Sequence, residues 1–135
     1  MIIGVGTDLV HIPRVKSLWA KQGQSFLSRC YTEPEITYIM DARDEEMLIA
    51  RLAKRWAAKE AAAKAIGTGI AQGVHLSDIE TRNDERGCPY LKFYGGAKSR
   101  LDEMVHGVGN FESFLSLSDD GDFAQAFVVL SVKTL

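Results

Sequence analysis

The chain has 135 residues, a formal net charge of −2 and ordinary apolar and charged fractions. That length fits one domain, spanning residues 1–135, with enough surface to bury a core without metal or disulfide staples. The near-neutral balance excludes bulk electrostatic attraction to nucleic acid or to an anionic membrane, so any charged partner must meet a local patch. Two cysteines, Cys30 and Cys88, fit reduced thiols in a reducing compartment, and no Cys–His spacing suits zinc. No apolar run approaches transmembrane length, and the N-terminus begins on a strand-like segment with no basic n-region. A soluble, cytoplasmic protein is expected.

Residues 1–10 are rich in β-branched side chains and predict a strand; Gly4 and Gly6 within it signal close backbone approach or a bulge. Pro13 suits the first turn of a helix reaching about residue 21, followed by a short helix over 24–29. Thr32 and Glu35 form a capping-box pattern for a helix ending near residue 40. After a polar break, an Ala- and Leu-rich helix is predicted from about 45 to 66, ended by Gly67 and Gly69. Strands are expected over 76–82 and 89–94, around the turn-forming run 83–87. A helix follows over 96–106, then strands over 111–118 and 123–132 around the turn 119–122. This order points to an α+β fold.

One residue breaks the pattern of the central helix. At 3.6 residues per turn Ile49, Leu52, Ala53, Trp56, Ala63 and Gly67 share a stripe, and Glu60 projects from its middle. A buried, unpaired carboxylate is costly. Glu60 therefore reads either as an ion pair with Lys64, one turn on, or as a hard oxygen ligand for Mg²⁺. Asp8, at the end of the first strand, reads as a turn residue or as a second carboxylate for such an ion. Lys59 and Lys64 read as solvated lysines or as phosphate contacts. Arg51, Lys54 and Arg55 fall on the outer helix face. The run Gly67-Thr68-Gly69 follows a helix C-terminus, so it is not a phosphate-binding loop of the Walker or dinucleotide type. Residues 9–32 hold Arg14, Lys16, Lys21 and Arg29 with no acid, a pattern that fits an acidic protein partner better than nucleic acid.

Two segments then carry a resemblance. Residues 4–15, Gly-Val-Gly-Thr-Asp-Leu-Val-His-Ile-Pro-Arg-Val, and residues 55–65, Arg-Trp-Ala-Ala-Lys-Glu-Ala-Ala-Ala-Lys-Ala, resemble the paired motifs of holo-[acyl-carrier-protein] synthases. The resemblance extends through Gly67-Thr68-Gly69-Ile70 and through residues 83–89. It implies a 4′-phosphopantetheinyl transferase, with a long central helix packed on a small, mostly antiparallel sheet. Such enzymes move phosphopantetheine from coenzyme A to a serine of apo acyl carrier protein and release adenosine 3′,5′-bisphosphate. By motif match, Asp8 and Glu60 take the Mg²⁺-ligand roles, and these two with Lys64 form the catalytic set. Arg55, Lys59, Lys64, Gly67, Asn83, Gly87 and Pro89 take coenzyme A contacts; Arg14, with Lys16 and Lys21, faces the carrier protein. The resemblance also implies a homotrimer with sites between subunits, no nucleic acid and no membrane. Phe114 and Asp119 stand where many relatives have histidine, and Met47 and Leu48 where some have arginine, so those roles do not carry over. A coenzyme A-binding module that docks on an acidic partner without catalysis, and a magnesium-dependent nucleotide hydrolase, are the alternatives.

Overall fold

A computed structural model describes residues 1–134; Leu135, the last residue of the expected domain, lies outside the described residues. The chain begins with β1 (Ile2–His11) and continues into α1 (Ile12–Gln22), α2 (Gln24–Cys30), α3 (Glu33–Met40) and the long α4 (Glu45–Ile66). The second half holds β2 (Ile79–Asn83), β3 (Pro89–Phe93), α5 (Gly95–Met104), β4 (Gly109–Asp120) and β5 (Phe123–Thr134). The strands form two antiparallel sheets, one in the order β1-β5-β4 and one of β2 with β3. The fold is α+β, as expected.

The central helix has the boundaries its sequence predicts. Asp44 caps its start by accepting from the Met47 amide at 2.8 Å. Gly67 ends it in the left-handed region at φ 94°, where a side chain would be strained. Two differences arise in the second half. Residues 76–78 form a 3₁₀ turn rather than strand, because the Asp78 carboxylate accepts from the His75 amide and bends the chain. The hairpin joining β4 to β5 is tighter than expected, with only Gly121 and Asp122 outside the strands and Gly121 at φ 57°.

Helix α4 lies across the inner face of β1 and β5, against Ala124, Ala126, Val128 and Leu130, all fully buried. Gly4 and Gly6 make this contact possible. A Cβ on Gly4 would sit 2.0 Å from the Ala65 carbonyl oxygen, and one on Gly6 would sit 1.8 Å from that of Ala61. Both neighbours are backbone and cannot yield cheaply. The glycines of β1 are therefore a close-approach site, and the register shift between Ile2 and Gly4 marks an irregularity there as well, so both readings of these glycines hold. Asp8 is the next residue on that same face of the strand.

Candidate active site

The helix that β1 grips so closely carries two functional stripes. Positions four apart share a face, so Glu60 and Lys64 form one stripe and Arg55 and Lys59 another. The first looks toward β1, the second toward α3 and β2.

On the first stripe, Asp8 and Glu60 line one cavity of about 290 Å³. Arg14 stands at its rim, and Val15, Leu18, Phe26 and Trp56 supply an apolar wall. The Phe26 and Trp56 rings meet at 5.7 Å between centroids. Lys64 reaches back to β1: its Nζ donates to Asp8 Oδ1 at 3.1 Å and to the Thr7 carbonyl at 3.0 Å. The ion pair on this face thus joins Lys64 to Asp8, not to Glu60. Burial pushes the Glu60 carboxyl above its usual range, the negative charge of Asp8 pushes it further, and Lys64 opposes both. Glu60 is only partly covered, at the edge of the cavity, and so is Trp56; neither is enclosed in an apolar stripe as the periodicity implies.

Among the described residues no group of three or more His, Cys, Asp or Glu side chains converges. The donor set is therefore a pair of carboxylates from separate elements. That set suits Mg²⁺, which takes one or two protein carboxylates and fills its octahedron with water and phosphate oxygens. The raised carboxyl of Glu60 beside Asp8 marks like-charge crowding that a divalent cation relieves. The residues fit the ion.

The second stripe corrects two expectations. Lys59 is wholly enclosed, and its ammonium donates to Glu35 Oε1 at 2.7 Å, to the Leu76 carbonyl at 2.9 Å and to the Ile79 carbonyl. All three of its donors are occupied inside the fold, so Lys59 does not serve as a phosphate contact. Burial pulls its ammonium below the usual lysine value, and the charge of Glu35 opposes that shift. The buried charge in this helix is thus Lys59, one residue from where the pattern points. Arg55 does not lie on a solvated face either. It is buried, its guanidinium stacks 3.8 Å from the centre of the Tyr38 ring, and its Nε has no hydrogen-bond partner. It lines a second cavity of about 240 Å³ with Pro34, Tyr38, Thr81, Arg82 and Asn83. Thr81 Oγ1 is likewise buried without a partner. Two buried polar atoms without a partner thus belong to residues that line this one cavity.

The remaining expected residues fall around these cavities. Asn83 ends β2, Pro89 opens β3, and Gly87 takes φ 83° in the turn between them. That turn is organised by Asp84, whose Oδ1 accepts from the Arg86 and Cys88 amides. Gly67 is exposed at the end of α4, beyond Lys64. Lys16 and Lys21 are exposed on α1. Neither lines the Asp8–Glu60 cavity; Lys16 borders a separate groove with Glu45, Glu46 and Asp122. Asp119 pairs with Lys54 at 3.0 Å, and Arg51 stacks on Tyr38 at 4.1 Å. Sequence reasoning missed Tyr38, Thr81 and Trp56 as cavity walls, and treated Glu35 only as a cap.

Residues 4–127 match the 4′-phosphopantetheinyl transferase superfamily. A holo-[acyl-carrier-protein] synthase of Wolbachia sp. subsp. Drosophila simulans is 47% identical over 132 residues, covering 98% of this chain and 100% of its own length. The crystal structure of the Neisseria meningitidis synthase superposes with a TM-score of 0.80 at 41% identity, covering 97% of this chain and 99% of that one. The Bacillus anthracis synthase, solved in complex with CoA (3′,5′-ADP), gives a TM-score of 0.79 at 34% identity, covering 98% and 99%. Two motifs in order, one fold and full-length relatives agree: the chain belongs to the 4′-phosphopantetheinyl transferase superfamily.

Proposed function

We propose that this chain transfers 4′-phosphopantetheine from coenzyme A to a serine of apo acyl carrier protein and releases adenosine 3′,5′-bisphosphate. The observation that carries the reading is the division of α4 into two stripes. One sets Glu60 with Asp8 at a cavity with Arg14 on its rim, and Lys64 against Asp8. The other sets Arg55 and Asn83 at a second cavity with unsatisfied polar atoms. The relatives named above as holo-[acyl-carrier-protein] synthases, one of them solved with CoA, support it.

Asp8 and Glu60 would hold Mg²⁺, which would supply charge neutralisation at the diphosphate of coenzyme A when bound. Lys64, beside Asp8, would offset the negative charge that grows on the bridging oxygen as the β-phosphorus is attacked. The serine oxygen forms the new bond to that phosphorus, its proton passes to a nearby carboxylate, and the bond to the bridging oxygen breaks to release adenosine 3′,5′-bisphosphate. The apolar wall of Val15, Leu18, Phe26 and Trp56 limits water at the reacting end. Arg55, Asn83, Gly87 and Pro89 receive the nucleotide end, and Gly67, past Lys64 at the end of α4, contacts the donor from there. Arg14, with Lys16 and Lys21 further along α1, docks the acidic carrier.

The functional unit is a homotrimer in the cytoplasm. The outer face of the three-stranded sheet exposes Val5, Leu9, Phe114, Phe123 and Phe127, apolar side chains of the kind that subunits cover. No described helix is long and apolar enough to cross a membrane. The test is to incubate the protein with coenzyme A, Mg²⁺ and apo carrier, and to weigh the carrier by mass spectrometry. A gain of one phosphopantetheine is expected. An unmodified carrier with coenzyme A intact returns the non-catalytic binder, and coenzyme A consumed without carrier returns the hydrolase.

A further inference from the structure

Strand β2 has β3 on one side and no strand on the other. An open strand edge leaves backbone groups without partners. Here the free edge is closed by two side chains. Lys59 donates to the Ile79 carbonyl, and Glu35 Oε2 accepts from the Thr81 amide at 3.0 Å. Ile79 and Thr81 are alternate residues, so their backbone groups point to the same side, as they would toward a neighbouring strand. Glu35 Oε1 binds Lys59 Nζ at 2.7 Å, and both side chains are 0% exposed. The ion pair thus fills the place of the missing strand. It also ties in the preceding turn through the Leu76 carbonyl. A second layer backs it: Thr32 Oγ1 donates to Glu80 Oε1 at 2.6 Å, and Arg82 and Tyr94 donate to Glu80 Oε2.

This pair lies directly behind the smaller cavity. The amide of Thr81 is fixed by Glu35, while its Oγ1 is one of the two unsatisfied atoms there. Arg55, the other, is one turn before Lys59 on the same stripe of α4. Lys59 is also the residue immediately before Glu60. One point on the helix therefore fixes the β2–β3 hairpin on one side and presents the acid site on the other.

We propose that the Lys59–Glu35 pair is a positioning device: it sets the β2–β3 hairpin, and with it Thr81, Arg82 and Asn83, at a fixed distance from Asp8, Glu60 and Lys64. The two residues touch no substrate. They determine how well the smaller cavity receives the nucleotide end of the donor, and the proposal rests on the reading of the site as a coenzyme A site.

The test compares the wild type with the charge-neutral double variant Glu35→Gln/Lys59→Met, which avoids stranding one buried charge. Leu130→Ala, a core truncation on β5, serves as the control for lost stability. The measured quantities are melting temperature, the dissociation constant for adenosine 3′,5′-bisphosphate by calorimetry, and kcat and KM for coenzyme A. The double variant is expected to bind the bisphosphate about tenfold more weakly and to raise KM for coenzyme A by a similar factor, with kcat within about threefold. Leu130→Ala should lower the melting temperature and leave the dissociation constant unchanged. Bisphosphate affinity retained in the double variant overturns the proposal, and so does an equal loss in the Leu130→Ala protein. A wild type that binds neither coenzyme A nor the bisphosphate overturns the functional reading itself. A double variant that fails to fold is replaced by Lys59→Arg, which keeps the charge but changes the reach; unchanged bisphosphate affinity in that protein also overturns the proposal.

Discussion

Lys59 and Lys64 sit on one helix, and each pairs with a carboxylate at nearly the same distance, 2.7 Å to Glu35 and 3.1 Å to Asp8. Their surroundings are opposite. The first pair is 0% exposed on both sides; in the second, Lys64 is 53% and Asp8 16% exposed. In the first, every donor of the ammonium has a partner inside the fold, and the pair acts on the chain's own backbone. In the second, the ammonium reaches Asp8 from solvent and can move to an arriving phosphate. A lysine's usefulness to a ligand depends less on its motif than on whether its donors are already held.

The widest separation between the two regions should come from Glu60. Glu60→Gln removes a carboxylate from the acid site and nothing from the buried network. It should lower kcat by at least about 10³-fold, or about 4 kcal/mol, with the fold retained. Circular dichroism and turnover measured together check this; near-normal turnover in a folded protein would remove Glu60 from the metal-ligand role. The same variant carries a pH signature. The native Glu60 carboxyl is raised by burial and by Asp8, so between the ordinary carboxyl range and its raised value the native state keeps a proton the unfolded chain has lost. Wild-type stability from this group is therefore present at low pH and falls as pH rises through that window. In metal-free buffer Glu60→Gln should be the more heat-stable protein at pH 7 and should lose that advantage near pH 4. Mg²⁺ should raise the melting temperature of the wild type and not of the variant.

The next contrast sets the two lysines against each other. Lys59→Met leaves Glu35 buried and uncompensated, at a cost of about 3–5 kcal/mol of stability. Lys64→Ala breaks a largely exposed pair and should cost under about 1 kcal/mol. Activity should divide the other way: Lys64→Ala is expected to lower kcat by about 10–100-fold while its melting curve hardly moves. Urea unfolding beside steady-state kinetics reads both quantities. Equal destabilisation by the two substitutions would erase the distinction between an inner and an outer pair.

The parts of this molecule that were legible in sequence are those with local signals. The ends of α4 follow from Asp44 and Gly67, and the close packing of β1 on that helix from Gly4 and Gly6. Asp8, Glu60 and Lys64 are brought together as the motifs imply. The burial of Lys59 and Arg55 was not legible. Ala57, Ala58, Ala61, Ala62, Ala63 and Ala65 surround the helix with small, buried side chains on nearly every side. With no contrast between faces, helical periodicity cannot separate an inner stripe from an outer one. The partners of Lys59 are also remote in sequence: Glu35 lies 24 residues away and Ile79 20 residues away. The Thr32–Glu35 capping box is real, yet the same carboxylate also holds Lys59 and the Thr81 amide. A local motif hid a long-range one.

The smallest effect belongs to the rim. Arg14 borders the acid cavity from α1 but is exposed, and its charge meets solvent in the free protein. A rim cation contributes to encounter with an acidic partner more than to chemistry. Arg14→Ala should therefore raise KM for the carrier protein by about threefold to tenfold and leave kcat and the KM for coenzyme A nearly unchanged. Lys21→Ala, farther along α1, should do less. Lys16 stands beside Glu45, Glu46 and Asp122, whose charges offset its own, so its removal should do least. Added salt should weaken carrier binding in the wild type and narrow its difference from Arg14→Ala. An equal rise in both Michaelis constants would place Arg14 at the donor rather than at the carrier.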